Sequence, residues 1–475
     1  MKLRVLAAIA LLAWIVPQSL HAQAERARFE RQLERIRRET RELVNPNLGA
    51  EQRVYVDYGG SVAFNFLSVD DTEGKNHTLR ESVLAAYLRA DLDGVHRFFI
   101  RAETSYEDWN AGDSFDHQGD RYEEPTLERA TYSFDLQRMM QAYEGENIDW
   151  NVQAHVGRQL VAWGNGLVLV QEIDGGRFVI ETQPVTVEIL AGLSRNDTAD
   201  IDSSRPGFRD DTKRGFFGAM VQSNIWPMHR PYVYGLVQQD YNDQTSRRGL
   251  TRTKFDYNSY YVGGGVDGLI SDRLRYGVEM AYEGGTSLSS SFDEFGPFVR
   301  QTEEDIVAFG ADFQIDYHLP GANRTRFSAE MIVTTGDIDR GTTSDTFGGN
   351  RRGTEDHAFN AFGLLNTGLA FGANPSNLIV GRLGASTRPL PNHQWLQGMQ
   401  IGADVFAFSK FNAKAPIDEP TEDRAFLGME ADAFVNWQVV SDVHVSLRYA
   451  AFFPGEAIPE KDVRHFLFTG VLLAF

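Results

Sequence analysis

The sequence alternates between apolar and polar residues over most of its length, from Arg53 to its last residue. A period of two is typical of a β-strand with one face in apolar surroundings and the other in polar ones. The alternating stretches run for roughly 10 to 14 residues, about twice the usual length of a strand in a soluble domain. The pattern therefore favours an all-β fold of long strands. The clearest runs are residues 54–66, 84–88, 98–106, 130–136, 185–193, 274–282, 307–315 and 425–437.

The spacing of these strands indicates how they are connected. Bacterial membrane barrels have an even number of antiparallel strands, with short periplasmic turns and long outer loops. If residues 359–370 belong to a loop and not to a wall strand, the connections predict a transmembrane antiparallel β-barrel of about 18 strands. Short or medium connections lie near residues 91–95, 139–148, 183–184, 225–230, 271–272, 320–323, 389–393 and 441–442, and long ones near 68–79, 109–123, 160–175, 195–212, 241–255, 286–303, 337–375, 411–423 and 454–461.

The composition excludes several other classes of protein. The 475 residues include no cysteine, so a disulfide scaffold, a thiolate zinc site and a cysteine nucleophile are excluded. The formal net charge of −20 argues against a nucleic-acid partner. Asp197, Asp200 and Asp202 lack the spacing of a calcium loop and are interpreted as a solvated acidic loop. We therefore expect neither a metal nor a cofactor.

The two ends of the chain predict its destination. Lys2 and Arg4 precede an apolar run over residues 5–16, and Ala-Gln-Ala at 22–24 supplies a cleavage site, as in a secretory signal peptide. The last strand ends in Phe475, which resembles the signal read by the outer-membrane assembly machinery; the alternative is a buried last strand of a soluble domain. We expect an outer-membrane protein of a Gram-negative cell, with membrane lipid and that machinery as partners.

The segment between the signal peptide and the first strand differs from the rest of the chain. Its apolar residues Phe29, Leu33, Ile36 and Leu43 follow a heptad spacing over about two repeats. Residues 25–44 form either a short periplasmic coiled coil that docks a partner or a solvated, marginal helix. The predicted organisation is a signal peptide over residues 1–24, a helical periplasmic segment over 25–50 and the barrel over 51–475.

Arginines recur on the polar face of the predicted strands. Guanidinium groups are always charged and bind carboxylates in a bidentate way, so a ladder of them in the lumen would attract an anionic solute. In the alternative interpretation the arginines pair with acids on the same face and only hold the wall together. The arginines concerned are Arg101, Arg129, Arg177, Arg275, Arg326, Arg382 and Arg448, and the acids include Glu103, Asp135, Glu181, Glu279, Glu330 and Asp404.

Several short motifs follow one another in a suggestive order. They include Gly-Arg-Gln at 157–159, Trp-Gly-Asn-Gly at 163–166, Pro-Ser-Asn-Leu at 375–378 and Gly-Met-Glu-Ala-Asp at 428–432. Their order and spacing resemble the alginate-export porin family of outer-membrane channels, over roughly residues 55–475. The resemblance implies an 18-stranded barrel whose prototype passes a uronic-acid polyanion through an arginine-lined, loop-constricted pore. The residues that it carries over are Arg158, Arg382, Glu430, Asp432 and Arg448.

We therefore expect an outer-membrane channel for passive passage of a polar solute, anionic or saccharide-like. The alternative is a non-conducting scaffold or adhesin that acts through its loops and N-terminal helix. An enzyme is disfavoured, because the 11 histidines are scattered and no serine has a recognisable nucleophile setting. The loop over 337–375, with its apolar insert, either folds into the lumen or is a mobile surface loop. Tyr257, Tyr260 and Tyr261 are interpreted as part of an interfacial aromatic belt.

Overall fold

In the computed structural model, one antiparallel sheet of 18 strands closes on itself as a barrel. The first strand pairs with the last, from Ser61 opposite Ala474 to Val69 opposite Phe466. The structure describes residues 54–209, 211–248, 251–291, 300–341, 343 and 351–475. The predicted signal peptide and helical segment lie outside the described residues. Among the described residues, no helix is long and apolar enough to cross a membrane.

The wall strands are 9 to 19 residues long. A tilted strand needs about 9 to 11 residues to cross the hydrocarbon core, so each of them can span a bilayer. In chain order the strands are β1 (Val54–Asp70), β2 (Asn76–Leu92), β3 (His96–Trp109), β4 (Arg121–Asp135), β5 (Asn151–Ala162), β6 (Val170–Glu181), β7 (Val185–Ser194), β8 (Arg214–Ser223), β9 (His229–Asp240), β10 (Thr245–Arg248), β11 (Thr251–Lys254), β12 (Tyr257–Ser271), β13 (Leu274–Ser291), β14 (Arg300–His318), β15 (Arg326–Thr334), β16 (Leu378–Thr387), β17 (Met399–Lys410), β18 (Phe426–Val440), β19 (Val443–Pro454) and β20 (Arg464–Ala474). Strands β10 and β11 form a separate hairpin in the connection between β9 and β12.

Alternate side chains of a wall strand point outwards and are mostly apolar. On β1 the exposed outward set includes Val56, Tyr58 and Phe64, while Asp57 and Asn65 lie on the inner face. The closed barrel pairs every strand on both sides, which leaves no sheet edge unpaired in the membrane. The predicted alternation is therefore confirmed, because lipid and lumen each meet the matching face of the strand.

Most of the long connections lie at one end of the barrel and most of the short ones at the other. Strand β15 ends at Thr334 and β16 begins at Leu378, so residues 359–370 belong to one long loop, as the count of 18 strands required. The prediction of a long loop near residues 68–79 is wrong. Strands β1 and β2 continue to Asp70 and from Asn76, which leaves only a short turn between them.

One turn on the periplasmic side is helical. The expected medium connection at 139–148 begins earlier, with helix α1 (Leu136–Met139) and a π-helical turn (Met140–Glu144). The Asp135 side chain caps this helix by accepting a hydrogen bond from the backbone N–H of Arg138. The short helix thus starts directly after β4 and is not part of the barrel wall.

The buried apolar side chains lie inside the barrel, in the half nearest the long loops. They come from the inner face of the wall and from residues 163–169 and 351–377 of two loops that fold into the lumen. Other loops contribute Phe115, Ile417 and Ile458. The barrel is thus partly filled by its own loops and is no open cylinder. Prominent members of this cluster are Trp163, Leu167, Leu169, Phe359, Phe362, Phe371, Phe406, Phe408, Phe452 and Phe466.

Candidate transport pathway

The inner wall carries all seven arginines that the strand pattern placed in the lumen; Arg448 is buried, and the other six are at least partly exposed. Arg101 on β3 lies directly opposite Arg129 on β4, and Arg382 on β16 lies opposite Glu330 on β15. Cross-strand pairs share one face of a sheet, so these side chains point into the same space. The remaining members on this face are Arg177 on β6, Arg275 on β13 and Arg326 on β15.

Five of these six arginines are paired with a carboxylate. The lining therefore alternates in sign, as the alternative interpretation of the sequence predicted. Each guanidinium still has further N–H groups to offer, because it carries five donors. The pairs are Arg101 Nε with Glu128 Oε2 at 2.7 Å, Arg177 Nη1 with Glu188 Oε2 at 3.8 Å, Arg275 Nη2 with Asp267 Oδ1 at 3.0 Å, Arg326 Nε with Asp316 Oδ1 at 2.9 Å, and Arg382 Nη1 with Glu330 Oε2 at 2.8 Å.

Arg129 is the exception among the six. No carboxylate among the described residues lies within ion-pair distance of its guanidinium, and its Nε has no hydrogen-bond partner there. Arg101 lies opposite, but the charge of Arg101 is balanced by Glu128. The half-buried Arg129 is therefore the point on this part of the wall where positive charge is least compensated.

Arg158 does not face the lumen, which corrects the placement that the family resemblance suggested. It lies opposite Ala130 and shares the outer face of β5 with the exposed Val156. Its Nε and Nη2 atoms each lie 2.7 Å from a carboxylate oxygen of Asp174 on β6. The pair is bidentate, and the third arm donates to the carbonyl oxygen of Leu127. Arg158 is thus held on the outside of the wall, away from a passing solute.

Glu430 faces the lumen but is covered, which corrects its expected role as a residue in contact with solute. Only 1% of the residue is exposed. Its carboxylate accepts hydrogen bonds from the backbone N–H groups of Leu369, Ala370 and Phe371, the latter two at 2.8 and 2.7 Å. Those donors belong to the loop between β15 and β16, so Glu430 holds that loop against the wall.

Asp432 and Arg448 are also buried on the inner wall near Glu430. Asp432 follows Glu430 on β18 with its side chain on the same face, and Arg448 lies on the neighbouring β19. Each residue is 7% exposed. Both therefore lie among the buried residues of the inner wall.

A second wall carboxylate holds the loop between β5 and β6. Glu279 on β13 accepts a hydrogen bond from the backbone N–H of Asn165 at 2.6 Å, and another from the Tyr234 hydroxyl at 2.7 Å. The Asn165 side chain donates to Asp312 at 2.9 Å. In the same loop Trp163 donates its indole N–H to Glu188 at 2.7 Å. The loop is thus tied both to β7, which neighbours β6, and to β13 and β14 further round the wall, and it projects into the lumen.

A third carboxylate ties the long loop to the same strand. Glu283 on β13 accepts from the Asn360 backbone N–H at 2.7 Å and from the Tyr257 hydroxyl at 2.7 Å. Tyr261 donates to Glu283 at 3.2 Å. Tyr257 and Tyr261 are therefore buried in the lumen, and of the three tyrosines assigned to an aromatic belt only Tyr260 faces outwards.

The two inward loops meet each other within the lumen. The Val170 N–H donates to the Phe362 carbonyl at 2.7 Å, and the Leu364 N–H donates to the Gly166 carbonyl at 2.9 Å. The described residues 358–373 of the loop between β15 and β16 therefore fold into the barrel and narrow it, which is the first of the two alternatives that the sequence left open.

Two of the three aspartates that were assigned to a solvated acidic loop, Asp200 and Asp202, are buried, whereas Asp197 is exposed. Asp200 is fully buried and lies 2.5 Å from Arg214 Nη2 and 3.3 Å from Arg205 Nε. Burial by itself would raise the pKa of Asp200, but the two guanidinium groups outweigh it and hold the pKa below its ordinary value. Among the described residues, no group of acids and histidines has an arrangement that could hold a metal ion. The described part of this loop is held together by buried ion pairs.

Comparison with known proteins indicates the family of this barrel. The family model described as alginate export matches residues 45–470. The chain belongs to the alginate export family. A search of curated protein sequences finds no match.

Solved structures confirm the fold of this alginate export family member. The crystal structure of Pseudomonas aeruginosa OccK5 (OpdH) is 11% identical with a TM-score of 0.50, and the alignment covers 88% of this chain and 98% of that one. For Acinetobacter baumannii OccAB4 the identity is 10% and the TM-score 0.51, over 90% of this chain and 100% of that one. At such identities the likeness concerns the fold alone.

The alginate export family member is an outer-membrane channel for passive passage of solute. Its family and its fold are those of channels and not of enzymes. Sequence reasoning missed the loop-holding roles of Glu279, Glu283 and Glu430. The strand pattern offers one signal for two of these residues. It places the carboxylates of Glu279 and Glu283, four residues apart, on the inner face of the same strand. The other signal is the apolar insert at 359–371 in an otherwise polar loop.

Proposed function

We propose that the channel passes polar, saccharide-type solutes, neutral or anionic. The observation that carries this proposal is the lining of paired arginines and carboxylates on the inner wall of the barrel. Each pair presents N–H donors beside oxygen acceptors, which matches the hydroxyl groups of a sugar. Many such weak positions let a solute enter and also leave.

The charge of the wall sets a limit on the solute. Because each paired arginine has an acid as its partner, the lining as a whole has little net attraction for a dense polyanion. Arg129 lacks such an acid among the described residues and is the proposed point of attraction for a carboxylate-bearing sugar. We assign solute contact to Arg129 and to the paired arginines Arg101, Arg177, Arg275, Arg326 and Arg382.

Recordings in planar bilayers and swelling of liposomes test this proposal. We expect a stable open-state current in the wild-type channel, and swelling with neutral and acidic oligosaccharides. Arg129→Ala should shift the reversal potential towards cations and slow the acidic sugar more than the neutral one. Arg158→Ala is the matched control, because it removes an arginine from the outer face and should leave both readings unchanged.

Two outcomes would contradict the proposal. A wild-type protein that carries no current in its folded state would favour the scaffold or adhesin alternative. Equal effects of Arg129→Ala and Arg158→Ala would show that the lumen arginine has no special contact with solute. We also propose that the channel has no catalytic activity, and turnover of ester or peptide substrates by the purified protein would refute this.

The N-terminal segment is proposed to reach into the periplasm and dock a partner there. The support is the heptad spacing of its apolar residues. Deletion of residues 25–44 should leave conductance unchanged and abolish the co-purification of a periplasmic protein after cross-linking. An unchanged set of cross-linked proteins would refute the docking role.

A further inference from the structure

We propose that Glu430 positions the tip of the long inward loop and thereby sets the width of the channel. The tip, residues 367–373, is a turn that closes on itself. The Gly372 N–H donates to the Thr367 carbonyl at 3.1 Å, and the Thr367 hydroxyl donates to the Ala373 carbonyl at 2.8 Å. Because these bonds are internal, the tip can move as a unit. The proposal rests on the channel function described above.

Glu430 depends on this tip more than the other two carboxylates depend on their loops. Its three backbone donors, Leu369, Ala370 and Phe371, are consecutive residues of the tip. Successive backbone N–H groups of this kind form a concave site for an anion. Glu283, by contrast, accepts from two tyrosine hydroxyls of its own wall and from one loop residue. If the loop moved, Glu283 would keep those two donors, whereas Glu430 would lose its three.

The backbone of the tip is shaped for this contact at Gly368. Its φ is +86°, in the left-handed region that favours glycine. A Cβ atom at this position would lie 2.6 Å from the Oε2 atom of Glu430. Any side chain here would therefore disrupt the contact between the tip and the carboxylate, because one of the two must move.

The segment that follows the tip is anchored at Asn377. On the trailing side the Asn377 side chain donates to the carbonyl oxygens of Ala415 and Pro416 at 2.9 and 3.0 Å. Within the tip itself, Phe371 packs against Phe408 and Phe452, with ring centroids 4.5 and 4.8 Å away. The packing of Phe371 on two aromatic rings and the hydrogen bonds to Glu430 thus both hold the tip, and the carboxylate fixes its orientation.

Two substitutions at the contact test the proposal from opposite sides. Gly368→Ala leaves the charge of Glu430 intact but disrupts its contact with the tip. Glu430→Gln leaves the tip intact but turns an amide N–H₂ towards backbone N–H donors. Both should raise single-channel conductance and admit larger neutral sugars, with the unfolding temperature of the barrel unchanged.

Matched controls come from the same chain. Gly353→Ala introduces the same backbone strain in the same loop, since φ is +77° there, but a Cβ would meet no atom within 4 Å. Glu181→Gln removes a carboxylate at the periplasmic end of β6, remote from the tip. Neither control should change conductance or the size limit for sugars.

Labelling of a single thiol reports the position of the tip without any current. The sequence has no cysteine, so Ala370→Cys gives one reactive site, at a residue that is buried. We expect slow reaction with a water-soluble maleimide in the parent, and reaction at least about tenfold faster when Glu430→Gln or Gly368→Ala is added, as for a shift in a two-state equilibrium.

The outcomes separate this proposal from the channel function. If the wild-type protein conducts but Glu430→Gln and Gly368→Ala leave both the conductance and the labelling rate unchanged, Glu430 does not set the width. The same holds if Gly353→Ala has an effect as large as that of Gly368→Ala. If the wild type carries no current, the channel function fails, while the labelling rates still report whether Glu430 holds the tip.

Discussion

Arg382 lies between two carboxylates, with its Nη1 atom 2.8 Å from Oε2 of Glu330. On the other side its Nε atom lies 3.3 Å from Oδ1 of Asp404. The three residues are on adjacent strands of the inner wall. Together they carry two negative charges and one positive charge. The arginine therefore screens an acidic patch and does not form an isolated cationic site.

Removal of this arginine should change ion selectivity. Arg382→Ala uncovers Glu330 and Asp404, so we expect the reversal potential in a salt gradient to shift towards cation preference. Adding Glu330→Gln should reverse part of that shift, because it removes one of the two exposed charges. If the single variant has the reversal potential of the wild type, these side chains do not face the conducting path.

A glycine at a close strand contact should be essential for assembly. Gly157 has φ of +117°, and a Cβ there would lie 2.0 Å from the carbonyl oxygen of Ala130 on β4. Gly157→Ala must push β5 away from β4, so we expect loss of the heat-modifiable folded band in gel electrophoresis. Gly235→Ala is the control, because a Cβ at that outward position meets no atom within 4 Å. A normal folded band for Gly157→Ala would contradict this packing.

The outer loop around Asp200 should be stable at neutral pH and lose that stability in acid. The pKa of Asp200 is held below its ordinary value, so its contribution is fully present above about pH 4 and is lost as pH falls through the lowered pKa. Asp200→Asn breaks a buried ion pair, which typically costs about 3 to 5 kcal/mol. We expect faster hydrogen exchange at Thr212, whose N–H donates to the Asn196 carbonyl.

A matched substitution in that loop serves as the control. Asp197 is paired with Arg195, but its side chain is partly exposed, and exposed ion pairs contribute little. Asp197→Asn should therefore leave the exchange rates of the loop almost unchanged at pH 7. Equal protection in Asp200→Asn and in the wild type at that pH would refute a stabilising role for Asp200.

The last residue should matter for assembly and not for the folded state. Backbone hydrogen bonds of 2.9 Å join Phe475 and Gly60 in both directions, while the residue is 72% exposed. Phe475→Ala keeps these backbone bonds. We expect fewer folded barrels in the outer membrane of living cells but normal refolding of the purified protein into detergent. A normal level in cells would refute recognition of this ring by the assembly machinery.

Much of the wall could be predicted from local pattern. The side chains of a strand alternate strictly, so the runs at 98–106 and 425–437 determine which residues face lipid. The alternation of connection lengths determined the strand count, because turns and loops of a membrane barrel lie on opposite sides. Arg158 was misplaced because the motif that singled it out carries no information about the face of the strand.

The interior could not be predicted in the same way. Glu430 and Asn165 reach their partners only because two loops fold back into the lumen, and their partners lie more than 50 residues away in sequence. The sequence by itself determined an outward apolar face and a closed wall, since both follow from a local period of two. Only the tertiary structure decided that the lumen glutamates bind backbone N–H groups of the loops instead of solute, because long-range packing brings those groups together.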